Sequence, residues 1–422
     1  MTAPVRDERQ IWLSAALLAA WATVTAVSFQ GRWPPDLSAI YIAGLLWQEG
    51  QAELIYAAPP GFFGGPSASW GPIIDALGGP EAVSFPYVYP PLWAVLVAPL
   101  TSVIDAQGFA DLVMALQAPL MAASVLLAAR LFQPARMPLW LWTLIGLAIL
   151  QFSVQSYVAL DLNQPSIAVI FLILLSFERM AAGKPATSGA ILALAAAIKL
   201  TPAAFALIFL IERQPRALLA FTLSGALLAA LSLVLAGPEL HLTFLHALSA
   251  LKGSALLSAV NVSLLPAILS LAAALGFAES FDGRAPTVIF RDVPAGISPA
   301  ITLAALGFMV LLVVLARRWP REKARGLLLL ALSVVIPLFG PLGWAHYYLM
   351  PLLLLPGLLM RLPPRAALPL GVAVGFVSAE ALVARIGALP WPVANYIWAA
   401  TAVWLCVLFA IIHLARRGPK PT

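Results

Sequence analysis

Residues 11–36 read IWLSAALLAAWATVTAVSFQGRWPPD. Ile11 to Ser28 carries no charge and is long enough to cross a hydrocarbon core of about 30 Å. It is then stopped by Gly31, Arg32 and the pair Pro34-Pro35, after which a lone acid, Asp36, opens the next segment. Asp36 can cap a helix expected to start at Leu37. On that helix Tyr41, Leu45 and Gln48 follow at helical spacing on one side, as in an amphipathic helix running toward Tyr56. An N-cap and a reactive carboxylate are both open roles for Asp36, and the two are compatible.

Working outward, the 422-residue chain is 62% hydrophobic and 10% charged, which places it among polytopic membrane proteins. Its single cysteine, Cys406, rules out an internal disulfide and a thiolate metal cluster. The net charge of +6 does not point to nucleic acid, because the basic residues fall in short clusters between apolar segments. Arg6 and Arg9 precede the first apolar run, which reads as a retained signal-anchor, with a cleaved signal as the alternative; in either case Asp36 emerges on the outer side.

Taking the basic clusters as cytoplasmic gives a topology of about ten full crossings and a half-helix hairpin, all within one all-α integral-membrane domain, 1–422. Ile11 to Ser28 crosses outward. A first outer loop, 30–111, contains Asp36, Glu49, Glu53, Asp75 and Glu81 and the clusters Pro59-Pro60-Gly61, Gly64-Gly65-Pro66 and Gly78-Gly79-Pro80. Tyr89 to Ile104 is expected to lie flat or re-entrant there, since counting it as a crossing would put Arg130 and Arg136 outside. Leu112–Leu131, Pro138–Val158 and Pro165–Phe177 then alternate, with a polar corner at Asp161-Leu162-Asn163-Gln164. Ala186 to Ile211 is broken by Lys199-Leu200-Thr201-Pro202 into two half-helices with both ends cytoplasmic. Ala217–Ala236 leads out to a second outer segment, 237–296, and Ile297–Ala316, Gly326–Leu342, Trp344–Met360, Ala366–Ala384 and Tyr396–Leu414 complete the crossings, both termini being cytoplasmic. On this arrangement 18 of the 24 Lys and Arg residues are inside, five (Arg32, Lys252, Arg284, Arg291, Arg385) are outside, and Lys199 is intramembrane.

The polar residues then collect on one face. Asp36, Tyr41, Tyr89, Gln164, Asn261 and His346 fall at the outer ends of segments, with Lys199 deeper. An ionisable group at a helix centre costs on the order of 2.5–3.5 kcal/mol, so Lys199 needs a partner such as a phosphate, or must snorkel from a tilted helix. His346, in Gly343-Trp344-Ala345-His346-Tyr347-Tyr348, is either a functional group or part of an interfacial aromatic anchor. His241 and His246 are five apart, which does not place two metal ligands on one helix face, and no metal site is expected. Asn261-Val262-Ser263 also fits a glycosylation sequon.

Asp36-Leu37, Tyr41-Ile42-Ala43, Gly50 and Ile55-Tyr56 together resemble the first-loop signature of glycosyltransferase family 87. Tyr89-Pro90-Pro91, the corner at Gln164, Lys199-Leu200-Thr201-Pro202, Asn261 to Leu264 and Trp344-Ala345-His346 follow in the family's order. The corner departs from the usual Gly-Gln-x-Asn, since Asn163 precedes Gln164 and Ser166 follows, and the loop after Tyr56 is unusually rich in proline. The resemblance implies a GT-C fold with juxtamembrane helices on the outer face, and a polyprenol-phosphate-mannose-dependent α-mannosyltransferase whose acid in the first outer loop is the base. It also implies a bacterial plasma-membrane enzyme acting on the periplasmic or exterior side.

The residues suit such chemistry. A sugar on a polyprenyl phosphate already has a good leaving group, so the enzyme must supply a base for the acceptor hydroxyl and positive charge for the phosphate. Asp36 is the candidate base. Lys199 and His346, with Lys252 or Arg291 as helpers, are candidates for the phosphate; Tyr41, Tyr89, Gln164 and Asn261 are candidates for sugar or acceptor. The expected partners are membrane lipid, the polyprenyl-phosphate sugar and a lipid, glycan or protein acceptor, with neither a cofactor nor nucleic acid. A lipid or solute transporter and a scaffold protein are the competing classes. The first lacks a deep acid to partner Lys199 and any internal repeat, and the second has no use for a polar ring at one face.

Overall fold

The computed structural model describes residues 8–57, 68–249, 254–258, 260–277, 289–388 and 394–418. The clusters Pro59-Pro60-Gly61 and Gly64-Gly65-Pro66 lie outside the described residues, as do Arg6 and Arg284. The described chain is mostly helical, and its strands are two four-residue segments among the described residues. In order, α1 (Glu8–Phe29) is followed by α2 (Pro35–Gln48), α3 (Gly71–Gly78), α4 (Pro91–Thr101), α5 (Ala106–Phe132) and α6 (Leu139–Phe152). Then come α7 (Val154–Asp161), α8 (Ser166–Ala181), α9 (Pro185–Ile198), a 3-10 turn (Thr201–Phe205), α10 (Ala206–Ile211) and α11 (Pro215–Ser249). The strands β1 (Ser254–Leu257) and β2 (Ile289–Asp292) flank α12 (Leu264–Ala274) and pair antiparallel, Ala255 opposite Arg291. Last are α13 (Ile297–Ala316), α14 (Arg321–Phe339), a 3-10 turn (Ala345–Tyr348), α15 (Leu349–Leu359), α16 (Pro364–Ser378), α17 (Glu380–Ala388) and α18 (Ala394–Arg417).

Among the described residues, α1, α5, α11, α13 and the Tyr396–Arg417 part of α18 are long and apolar enough to span a bilayer. The pair α7 and α8, bent by 118°, makes a sixth if taken as one span. Four other segments that the charge parity treats as crossings, around Leu139–Phe152, Ala324–Phe339, Ala345–Leu359 and Pro364–Ser378, are shorter apolar helices. Pro337, Pro356 and Pro369 lie inside three of them. Proline removes an intrahelical hydrogen bond and interrupts what composition reads as one continuous run. The chain is thus an all-α integral membrane protein assembled from long and short apolar helices.

Polar contacts define two ends of this bundle. At one end Arg130 pairs with Glu178 at 2.8 Å, Arg325 grips Glu212 with two nitrogens, and Arg361 donates to the Phe132 carbonyl at 3.0 Å. Gly326 and Gly357 belong to the same layer, because a Cβ at either would strike the Phe132 ring. At the other end Gly31 N–H reaches Asp111, Arg32 reaches Asp161, and Tyr348 donates to the Val262 carbonyl. Hence α5, α8 and α15 run from the second end to the basic end, and α14 runs back. α9 climbs from the basic end to Lys199, and the turn with α10 returns to Glu212, a hairpin with its tip at the polar end.

Among the described residues there are three hydrophobic clusters, the smallest of them joining Leu257, Leu265, Ile301 and Ile397. The largest lies within the bundle, around Phe177, Phe209, Leu354 and Trp404. The second sits at the polar end, where α2 packs on α4, with Tyr56, Trp70, Tyr87 and Tyr89 joined by Leu240 and Phe244 of α11. α11 reaches it by turning at Gly237, whose φ of 72° is in the left-handed region that a glycine tolerates, just before Pro238. The amphipathic reading of α2 is corrected here. Leu37 through Gly44 are all buried, because α4 covers the face expected to meet water; a Cβ at Gly44 would come within 3.0 Å of Val97.

Candidate active site

The site begins with how α2 starts. Pro34 occupies the N-cap in an extended conformation without a side-chain cap, and Pro35 is in the first turn, where its fixed φ suits a helix and its missing N–H costs nothing. Asp36 is therefore inside the first turn and is not the cap. The pair of prolines does the initiating, which frees the Asp36 carboxylate to accept a short hydrogen bond from the Gln164 amide. The Pro35 carbonyl is tied to Phe85 N–H at 2.9 Å and to the Ser38 hydroxyl at 3.0 Å, so the helix start is fixed from behind.

Gln164 is aimed by the corner between α7 and α8. Asn163 adopts φ 46°, a conformation that asparagine tolerates better than most residues. Its amide donates to the Ala110 carbonyl at 2.8 Å and accepts from Gln117 at 2.8 Å, which locks the corner to α5. Gln164 N–H returns to Ala159 O at 2.8 Å, and the carboxamide projects toward α2.

Lys199 ends α9 in an extended conformation (φ −139°, ψ 139°) at the hairpin tip. Its Nζ donates to Gln164 Oε1 at 3.0 Å and to Ser166 Oγ at 2.7 Å, and stands 5.4 Å from the Tyr89 ring centre and 5.0 Å from that of Tyr347. The break at Lys199-Leu200 makes the tip of the expected half-helix hairpin, and it brings the Lys199 ammonium to the same carboxamide that meets Asp36. One carboxamide bridges the two charges, its N–H₂ toward the carboxylate and its oxygen toward the ammonium. Tyr89 OH is also directed at Gln164 Oε1, at 3.4 Å. Gln164, Ser166, Tyr89 and His346 are buried, whereas Asp36, Lys199 and Tyr347 are half-buried.

Burial is the main influence on Asp36 and raises its carboxyl; the Lys199 charge and the Gln164 hydrogen bond oppose it, leaving a pKa of about 6. That is close to the pH at which a general base works best.

His346 lies on the 3-10 turn before α15, 2% exposed, with its ring edge-on to Tyr347 at 4.6 Å. Among the described residues neither ring nitrogen has a hydrogen-bond partner, although a buried imidazole ordinarily finds one. The stretch that carries it is held by Asn261. The Asn261 side-chain oxygen accepts from Gly343 N–H at 2.8 Å and its amide donates to Leu256 O at 2.8 Å, while Val262 N–H and Ala345 N–H bond across to Gly343 O and Val260 O at 2.7 Å each.

The structure therefore brings Asp36, Tyr89, Gln164 and Lys199 together with His346 nearby. Two other expected residues are engaged elsewhere. Tyr41 donates its hydroxyl to the Ile104 carbonyl at 2.9 Å and packs against Phe109, and the Asn261 side chain bonds to the backbone of Gly343 and Leu256. Arg291 is half-buried on β2, opposite Ala255. Lys252 lies outside the described residues. Sequence reasoning missed Ser166 and Tyr347 as neighbours of Lys199, and Asn163 with Gln117 as the pair that fixes Gln164. The asparagine beside Gln164 at a helix break was the available signal.

A family model described as Glycosyltransferase family 87 matches residues 87–341, well over half of the chain. No curated protein and no solved structure matches it.

Proposed function

The chain belongs to glycosyltransferase family 87 and is a membrane glycosyltransferase, and from that premise we propose that it moves a hexose, mannose in the first instance, from a polyprenyl phosphate to an acceptor hydroxyl with inversion. The observation that carries this reading is the line Asp36–Gln164–Lys199, with a carboxylate and an ammonium on opposite sides of one carboxamide.

In the reaction the acceptor oxygen forms a bond to the anomeric carbon as the bond from that carbon to the phosphate oxygen breaks. Asp36 takes the acceptor's proton, and polyprenyl phosphate leaves with the electron pair. A positioned base contributes roughly 10²- to 10⁴-fold. Lys199 has three N–H donors, two of them directed at Gln164 and Ser166, and the third serves the departing phosphate. The unpartnered ring of His346 supplies a further donor behind it. Attack from the side opposite the phosphate inverts the anomeric centre, so a β-linked donor yields an α-glycoside. Tyr89 and Gln164 orient the sugar, and the apolar surface between helices holds the prenyl tail. With the basic end of the bundle in the cytoplasm, the site opens on the exterior or periplasmic side, where a lipid, glycan or protein acceptor waits.

The test is turnover by the purified full chain in lipid nanodiscs, supplied with synthetic polyprenyl phosphates bearing mannose, glucose or galactose and a membrane extract as acceptor source. The expected result is release of polyprenyl phosphate with radiolabelled mannose in product. No consumption of any of the three donors would overturn the reading.

A further inference from the structure

The outward face of α7 carries polar groups that neither the bundle nor the Asp36 cluster uses. Tyr157 and Asp161 stand one helical turn apart on it, Tyr157 being 44% exposed and the Asp161 side chain 41%. The rest of this helix faces the 3-10 turn that holds His346, and its C-terminal end is the corner that aims Gln164. Arg32 comes to Asp161 from the connection between α1 and α2, at 3.7 Å. Its backbone is pinned by Gly31 N–H to Asp111 at 2.9 Å and by the Gln107 amide to Arg32 O at 3.3 Å, and its guanidinium lies 4.4 Å from the Phe29 ring centre. Glu380 is the first residue of α17, which packs against α7. Ser153 and Ala379 form a backbone bridge, Gln155 donates to Ser378 at 3.2 Å, and the Tyr157 phenol lies within electrostatic reach of Asp161, Arg32 and Glu380 together.

Four side chains from three segments thus make a ledge beside the site. Arg32 is four residues before Asp36 and Asp161 is three before Gln164; at no more than about 3.6 Å of chain per residue, the ledge begins within roughly 15 Å of the cluster. A half-exposed ion pair adds little to stability, so its members remain free to bond a ligand. Two carboxylates against one guanidinium disfavour an anionic headgroup, whereas alternating donors and acceptors beside an aromatic ring match the hydroxyls of a neutral sugar. In-line displacement also requires the acceptor to extend away from Lys199, where the phosphate departs.

We propose that Arg32, Tyr157, Asp161 and Glu380 form an acceptor subsite for a neutral carbohydrate, an inference that rests on the transfer reading above for its orientation toward Asp36. The experiment is a saturation-transfer NMR titration of octyl α-mannoside against the full chain in nanodiscs without donor, with glycerol phosphate as an anionic competitor. Wild type should bind the mannoside, Tyr157→Ala, Asp161→Ala and the isosteric Asp161→Asn should each weaken binding at least fivefold, and glycerol phosphate should not compete. No binding by wild type, equal binding by all variants, or effective competition by glycerol phosphate would each overturn the proposal. If the ledge variants weaken binding but wild type consumes no polyprenyl-phosphate sugar with membrane extract as acceptor, the ledge stands and the transfer reading fails.

Discussion

Replacing Gln164 by leucine removes the amide N–H that the Asp36 carboxylate accepts, while leaving a side chain of similar size at a buried corner. That bond favours the charged carboxylate, so its loss keeps Asp36 protonated to higher pH; the added apolar surface acts in the same direction. A hydrogen bond to a charged group contributes about 1.5–3 kcal/mol, and one pKa unit corresponds to 1.36 kcal/mol. Allowing for the partial exposure of Asp36 to water, the expected displacement is about one unit. A base works only when ionised, so kcat/KM rises with pH through this pKa. The midpoint of the acid limb should stand at about 6 in wild type and near 7 in Gln164→Leu. Once each profile is normalised to its own maximum, the variant at pH 6 should retain about a quarter of the wild-type value, and both should fall above about pH 8, where the Lys199 ammonium loses its proton. The assay is initial-rate transfer from polyprenyl-phosphate mannose between pH 5 and 9. A midpoint that stays in place, or moves down, would refute the hydrogen bond as a determinant of the base.

Lys199→Met removes the ammonium directed at Gln164 and Ser166. It should lower kcat at least a hundredfold in the same assay, and its residual activity should show a raised acid limb, because the charge that lowers the Asp36 pKa is gone. Asn261→Ala frees Gly343 N–H and Leu256 O in a buried turn. Transfer should fall about tenfold or more through misplacement of His346 while binding of the octyl mannoside is retained, which titration and rate measured together would show. Arg325→Met strands the Glu212 carboxylate, 1% exposed at the basic end. It should cost about 3–5 kcal/mol of stability, seen as a lower thermal midpoint, without altering the donor KM of the protein that remains folded.

Much of this site was legible because polar residues are conspicuous in a chain that is 62% hydrophobic. Asp36, Tyr89, Gln164, Lys199 and His346 could each be picked out as groups with no business in lipid. What the sequence does not contain is where each hydrogen-bonding capacity is spent. Tyr41 and Asn261 carry the right chemistry, yet backbone carbonyls and amides far along the chain consume it. The N-cap expectation for Asp36 failed for a related reason, since capping is a local rule and the carboxylate found a partner 128 residues away. Ser166 and Tyr347 were hidden by ordinariness, a serine at a helix start and a tyrosine among interfacial aromatics. In the fold, the apolar segments and the broken hairpin at Lys199 could be read directly. The buried character of α2 could not, because α4, which covers it, lies some fifty residues further on.

The most direct test of the account is the Asp36→Asn enzyme. Asparagine keeps an acceptor for the Gln164 amide and the shape of the site but cannot take a proton at neutral pH. Measured in nanodiscs at pH 7.5 with polyprenyl-phosphate mannose, it should bind donor as wild type does, melt as a folded protein and lose turnover by roughly 10²- to 10⁴-fold. Turnover within a few-fold of wild type would contradict the central claim that this carboxylate is the base.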